Sequence, residues 1–249
     1  PGGDPGAVRG PVLSVPLRPT ALLVGLCCYG FSMAMMVRAG LGLDPWDVFH
    51  QGLTMHTPMT IGMASAVVGA VVLLAWIPLR TRPGVGTVAN VVVIAVTVDA
   101  GLMVLTAPTS TPVRAAMMFA AVLLNAVATV LYVGAGLGPG PRDGLMTGLV
   151  ARKGLSVRLV RTAIEATVLT AGWLLGGSVG LGTVVYAFGI GPLVQLVLRL
   201  TPEPVLARSG WARILDSRPI RTDPERPSQP QCGTMVQCPT PPTRSIPTC

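Results

Sequence analysis

Long apolar runs alternate with short segments rich in Gly, Pro and charge along most of this chain. A helix that crosses a bilayer needs about 20 predominantly apolar residues. Six stretches approach or meet that length: 20–37, 60–79, 87–106, 113–133, 156–176 and 183–200. The first lies near the start of the chain but lacks a small-x-small cleavage site, so it reads as a retained span rather than a signal peptide. The third carries Asp99, and the fifth carries Arg161 and Glu165. Two shorter helices are predicted between the spans, from Pro45 to about His56 and from Pro141 to about Lys153. At 1.5 Å per residue, twelve residues reach roughly 18 Å, too little to cross the hydrocarbon core. Each is therefore re-entrant or lies at the interface. If both were full spans, the basic residues would divide less cleanly between the two sides.

The same pattern occurs twice. A shift of 96 residues lays Ala39-Gly-Leu-Gly42 on Ala135-Gly-Leu-Gly138, Pro45 and Asp47 on Pro141 and Asp143, and Gly84-Val-Gly-Thr87 on Gly180-Leu-Gly-Thr183. From 37 to 102, about 20 of 66 positions are identical without a gap. Each copy holds three spans, and an odd number turns the second copy over relative to the first. The expected fold class is an all-α membrane protein, six transmembrane helices forming two inverted three-helix repeats, each with a short Gly/Pro-broken helix. The expected divisions are a cytoplasmic segment 1–17, repeat one at 18–106, repeat two at 107–200 and a Pro-rich disordered cytoplasmic tail at 201–249.

Composition agrees with the pattern. Of 249 residues, 51% are hydrophobic and only 11% are charged, against roughly 25% charged in an average soluble domain. Mean hydropathy is +0.64. A water-soluble globule and a disordered chain are both excluded for most of the length. The net charge of +8 reads first as a polyanion-binding signal, until the basic residues are placed. Leaving out the six tail arginines, ten basic residues fall on one side of a six-span topology, and only Arg38 and Arg114 on the other. The charge thus marks the cytoplasmic face, with both termini inside. It excludes a nucleic-acid partner and leaves the lipid bilayer as the expected one. The five cysteines form no CxxC or Cys/His framework, so no metal, cofactor or disulfide scaffold is expected.

The duplicated segment carries the strongest local chemistry. Glycines end the preceding span, and Asp44 or Gly140 then stands at the N-cap. Pro45 and Pro141 fit the first helical position, and Asp47 and Asp143 fall at the third, beside free N–H groups and the positive dipole end. Two readings stand side by side: both aspartates line a solute site between the repeats, or both only cap helices. On the first short helix, Asp47, His50, Gln51 and Thr54 share a face. Thr87 and Thr183 are expected to cap the third span of each repeat. Asp99, Arg161 and Glu165 at membrane depth belong either to a substrate or proton pathway or to hydrogen bonds that fix the bundle. Arg161 and Glu165 are spaced to pair at i, i+4. No nucleophile–base arrangement supports an enzyme.

These motifs together resemble the YczE family of bacterial membrane proteins, related to the YitT/YyaS-like set. The resemblance rests on Arg38-Ala-Gly-Leu-Gly with Pro45-Trp-Asp-Val48, on Gly84-Val-Gly-Thr87 with Asp99, on Gly138-Pro-Gly-Pro-Arg-Asp143, and on Gly154-Leu-Ser-Val157 through Glu165 to Gly182. It spans about 18–200. It implies a multi-pass inner-membrane protein, with some members linked to antibiotic or lipopeptide production, and brings no catalytic residues. The expected function is a transporter-like permease for a small-molecule solute, with Asp47, Asp143, Asp99, Arg161 and Glu165 as site residues. The alternative is a non-transporting accessory protein serving a biosynthetic or export partner. Protein partner and oligomeric state are left open.

Overall fold

The computed structural model describes residues 17–202. The expected N-terminal segment and nearly all of the tail, with Cys232, Cys238 and Cys249, lie outside the described residues. Among those described, eight helices follow one another: α1 (Leu17–Ala39), α2 (Pro45–His56), α3 (Ile61–Leu79), α4 (Val85–Val104), α5 (Thr111–Gly134), α6 (Pro141–Lys153), α7 (Val157–Leu174) and α8 (Leu181–Leu200).

Five of them, α1, α3, α4, α5 and α8, are long and apolar enough to cross a membrane. α7 is not in that group. Its 18 residues include Arg158, Arg161 and Glu165, which lower the hydropathy of its first half. Of the six expected spans, five are thus apolar and long enough to cross, and the fifth in chain order, α7, is amphipathic.

Helix starts follow local chemistry. The Asp44 carboxylate accepts from the N–H groups of Trp46 and Asp47 at 2.9 and 3.0 Å. Thr60 and Ser156 hydroxyls accept from Met63 and Leu159 N–H groups at the starts of α3 and α7. Thr87 and Thr183 act differently from the expectation. The N-caps are Gly84 and Gly180, and each Thr hydroxyl, three residues on, accepts from the N-cap's own N–H at 3.1 and 3.2 Å.

α1 packs against both α4 and α5. Its approach to α5 is close because Gly25 carries no side chain: a Cβ there would stand 2.7 Å from the Tyr132 backbone nitrogen. One turn on, the Tyr29 and Tyr132 rings meet edge to face, with centroids 6.0 Å apart. Leu26, Ala34, Val98 and Ala128 fill the same core without exposure.

The two copies clasp each other. At the start of α4, Gly86 donates its N–H to the Leu137 carbonyl at 3.0 Å. At the start of α8, Gly182 donates to Leu41 at 2.7 Å. All four residues are matched across the 96-residue shift. The loops so held also share a backbone: Gly42 and Gly138 have φ of +114° and +134°, a region that favours glycine. Arg114 secures the end of α1 by donating to the Ala39 and Gly40 carbonyls, both at 2.7 Å. Arg38 donates to the Leu102 carbonyl near the end of α4. Both side chains thus meet the negative ends of helix dipoles.

Candidate functional site

The first turns of α2 and α6 meet at one cavity of about 80 Å3. On the same measure, one water needs roughly 10–15 Å3, so there is room for several waters or a small polar group. α2 contributes Asp47 and His50, with Asp44 just before it; α6 contributes Arg142 and Asp143. Tyr29 and Met33 of α1, Val68 and Val72 of α3, Asn90 of α4 and Tyr132 of α5 close the walls.

The acidic side is unusually dry. Asp44, Asp47 and His50 are 2%, 1% and 6% exposed. Asp44 spends one carboxylate oxygen on the two capping N–H groups. Asp47 Oδ1 lies 3.2 Å from His50 Nδ1, whereas Asp47 Oδ2 is buried and finds no donor among the described residues, with the Asp44 carboxyl beside Asp47. A buried carboxylate oxygen left unpaired is costly. Asp44 and Asp47 lie outside the long apolar helices. Burial pushes each of them up to about 7, and for Asp44 the neighbouring Asp47 adds to the rise. Burial also pushes His50 down to about 4, leaving it neutral at physiological pH.

The α6 side supplies the balancing charge. Arg142 donates to the Tyr29 hydroxyl at 2.6 Å and sits 5.8 Å from the centre of that ring. Its charge faces Asp44 and Asp47 and opposes the rise in both. Asp143 Oδ2 accepts from the Tyr132 hydroxyl at 3.3 Å. With His50 neutral, three carboxylates face one guanidinium. Full ionisation would leave a negative excess that invites a cation or a proton.

The structure brings together Asp47 and Asp143 of the five sequence-predicted site residues and separates the other three. Asp99 accepts from the Thr60 hydroxyl at 2.5 Å and the Gly62 N–H at 2.8 Å, holding the start of α3 against α4. Arg161 donates to Glu165 at 3.0 Å, but on the outer side of α7, where the two side chains are 59% and 39% exposed. They pair as their spacing predicts, outside the packed interior. Of the predicted polar face of α2, Asp47 and His50 turn to the cavity, while Gln51 accepts from the Ser178 N–H at 2.7 Å. Sequence reasoning missed Arg142, which it counted among the loop charges. The available signal was its register: it stands where the first copy has Trp46, between the matched Pro and Asp. Tyr29 and Tyr132 gave none, because an aromatic residue inside an apolar run looks like core.

Beyond Trp46, Val68 and Val72 lies a second, apolar space of about 550 Å3. Those three side chains line both. α3 and α7 form its flanks through matched residues: Val67 with Ala163, Val68 with Ile164, Val71 with Thr167, and Val72 with Val168.

Residues 17–199 match a family described as a family of unknown function, DUF6198. An uncharacterized protein of Haemophilus influenzae is 41% identical over 179 residues, covering 72% of this chain and 82% of its own length. The uncharacterized membrane protein YczE of Bacillus subtilis is 36% identical over 189 residues, covering 74% and 85%. No solved structure matches the chain. The Gly-Pro-Asp segments that build the cavity fall inside the matched region, and the chain belongs to the YczE-like membrane protein family DUF6198.

Proposed function

We propose that this protein is a transporter-like permease of the bacterial inner membrane, with a binding site for a small solute between two inverted three-span repeats. The observation that carries the reading is the cavity where both short helices begin, with a buried, unpartnered Asp47 oxygen among its walls. Discontinuous helices that end near the repeat interface are the usual site-builders in inverted-repeat transporters. Support for the inverted arrangement comes from the reciprocal clasp of Gly86 with Leu137 and Gly182 with Leu41. In this reading α7 is the sixth span. Its exposed Arg161–Glu165 pair satisfies two charges locally, and both termini are cytoplasmic. No covalent step is involved.

The test compares metabolites in cells and medium for cells with the wild-type chain, with Asp47→Asn, and without the protein. At least one solute should redistribute with the wild type and return to the protein-free level in the variant. A secondary metabolite lost with every solute distribution unchanged would replace this reading with the accessory one. Single cysteines at Met55 and Ala151, both exposed and matched across the repeats, should label from opposite sides in a cysteine-free background. Same-side labelling ends the inverted arrangement.

A further inference from the structure

The polar cavity and the apolar space beside it share Trp46, Val68 and Val72, three side chains each less than 10% exposed. On one side of that wall are Asp44, the unpartnered oxygen of Asp47 and an excess of acidic over basic groups. On the other is a groove at the repeat interface lined almost wholly by aliphatic and aromatic side chains, such as Phe49, Leu53, Leu145 and Ile164. An occupant complementary to both has a positive end that donates hydrogen bonds and an apolar remainder. We infer that the solute is an amphiphilic amine, its ammonium group on Asp47 and its hydrocarbon part lying past Trp46 in the groove between α3 and α7. This rests on the solute-binding reading of the cavity and narrows it to a ligand class.

The chemistry fits each end. A primary ammonium carries three N–H donors, enough to satisfy Asp47 Oδ2 and to approach the Asp44 carboxylate. Among the described residues Arg142 is the one guanidinium lining the cavity, and Asp44, Asp47 and Asp143 outnumber it, so an anionic headgroup meets more carboxylates than cations. Trp46 offers an aromatic face beside the charge. A small hydrophilic cation would leave the groove unused.

The experiment measures binding of ethyl-, butyl-, hexyl- and octylammonium to the purified full chain in nanodiscs, by intrinsic tryptophan fluorescence. The specific signal is the difference between wild type and Asp47→Asn, which removes partition into lipid. Affinity should rise about fourfold per added methylene once the chain passes Trp46. Ile164→Trp, which fills the groove, should abolish that rise. Asp47-dependent binding with no dependence on chain length overturns the amphiphile and leaves a plain cation site. An equal rise in wild type and Asp47→Asn also overturns it, since the signal is then lipid partition. Absence of all alkylammonium binding, with solute redistribution still dependent on Asp47, rejects the amine and spares the permease reading.

Discussion

α2 and α6 begin alike. Each follows a loop whose matched glycines share positive φ, starts with proline, and places an aspartate at its third position. They differ in everything that decides charge and volume. α2 has Asp44 at its N-cap and a valine, Val48, in its second turn; α6 has Gly140 and Gly144 there. α2 brings the buried acids and His50, whereas α6 brings the arginine. Duplication supplied two matching backbones, and divergence made one the acidic wall of a shared cavity and gave the other an arginine, Arg142, beside its aspartate. Packing partners diverged in step. Gly144 receives the Trp76 indole, which donates to the Pro141 carbonyl at 3.0 Å. At the matched contact, Gly172 of α7 lies against the backbone of Val48 and Phe49 of α2. Large and small have exchanged sides.

That exchange is the place where substitution should do most damage. A Cβ on Gly172 would stand 2.5 and 2.6 Å from backbone atoms of Phe49. Backbone of a packed helix cannot step aside, so Gly172→Ala is expected at or above the top of the usual overpacking range of about 1–3 kcal/mol. Gly144→Ala is next. Its Cβ would strike the Trp76 ring, which is 1% exposed. Here a side chain is the obstacle, so Trp76→Leu in the same chain should recover part of the loss, while no single side-chain trimming rescues Gly172→Ala. Thermal unfolding in detergent reads both. Additive losses for Gly144→Ala with Trp76→Leu would break the large-for-small correspondence.

The caps differ by less. Asp44→Ala frees two N–H groups at the start of α2 and should cost about 1 kcal/mol. Asp44→Asn keeps an accepting oxygen and should cost much less. At the sister position no side chain caps, and a Cβ on Gly140 meets nothing closer than 3.4 Å, so Gly140→Ala should cost less, about 0.5 kcal/mol. Equal losses from Asp44→Ala and Gly140→Ala would remove the distinction between the two helix starts.

How far these features could be read in advance depended on their range along the chain. The short helices were legible to their last residues, because Pro45, Pro141, Asp44 and Gly140 act on neighbours one to three residues away. Asp47 and Asp143 were legible as a pair because the repeat matched them. α7 was not legible as different in kind, since its charges were weighed against a hydropathy run without knowing which face meets the core. Arg142 was misplaced for a similar reason. An arginine beside a glycine-rich break reads as a loop charge, and only the fold carries it back across to Tyr29, over one hundred residues earlier. Gly144 and Gly172 carried no signal in the sequence, because their neighbours Trp76 and Phe49 are distant along the chain.

The remaining prediction tests the acidic wall itself. Asp44 and Asp47 sit at about 7 in the folded chain against an ordinary 3.8, so between about pH 4 and 7 the folded state holds protons that the unfolded state has released. Stability contributed by these two groups is therefore largest at low pH and falls as pH rises through that window. His50 acts in the opposite direction. Lowered to about 4 from 6.5, it is neutral when folded and protonated when unfolded, so its contribution rises with pH over nearly the same window. Two falling contributions against one rising leave a net decline in the wild type, which should level off above pH 7. Asp47→Asn removes one falling contribution and sets Asp44 against His50, so its stability should be nearly flat from pH 4 to 7. Thermal unfolding across that range distinguishes the cases. A wild-type profile that rises with pH would mean the carboxylates are ionised when folded, with Arg142 rather than burial governing the α2 wall.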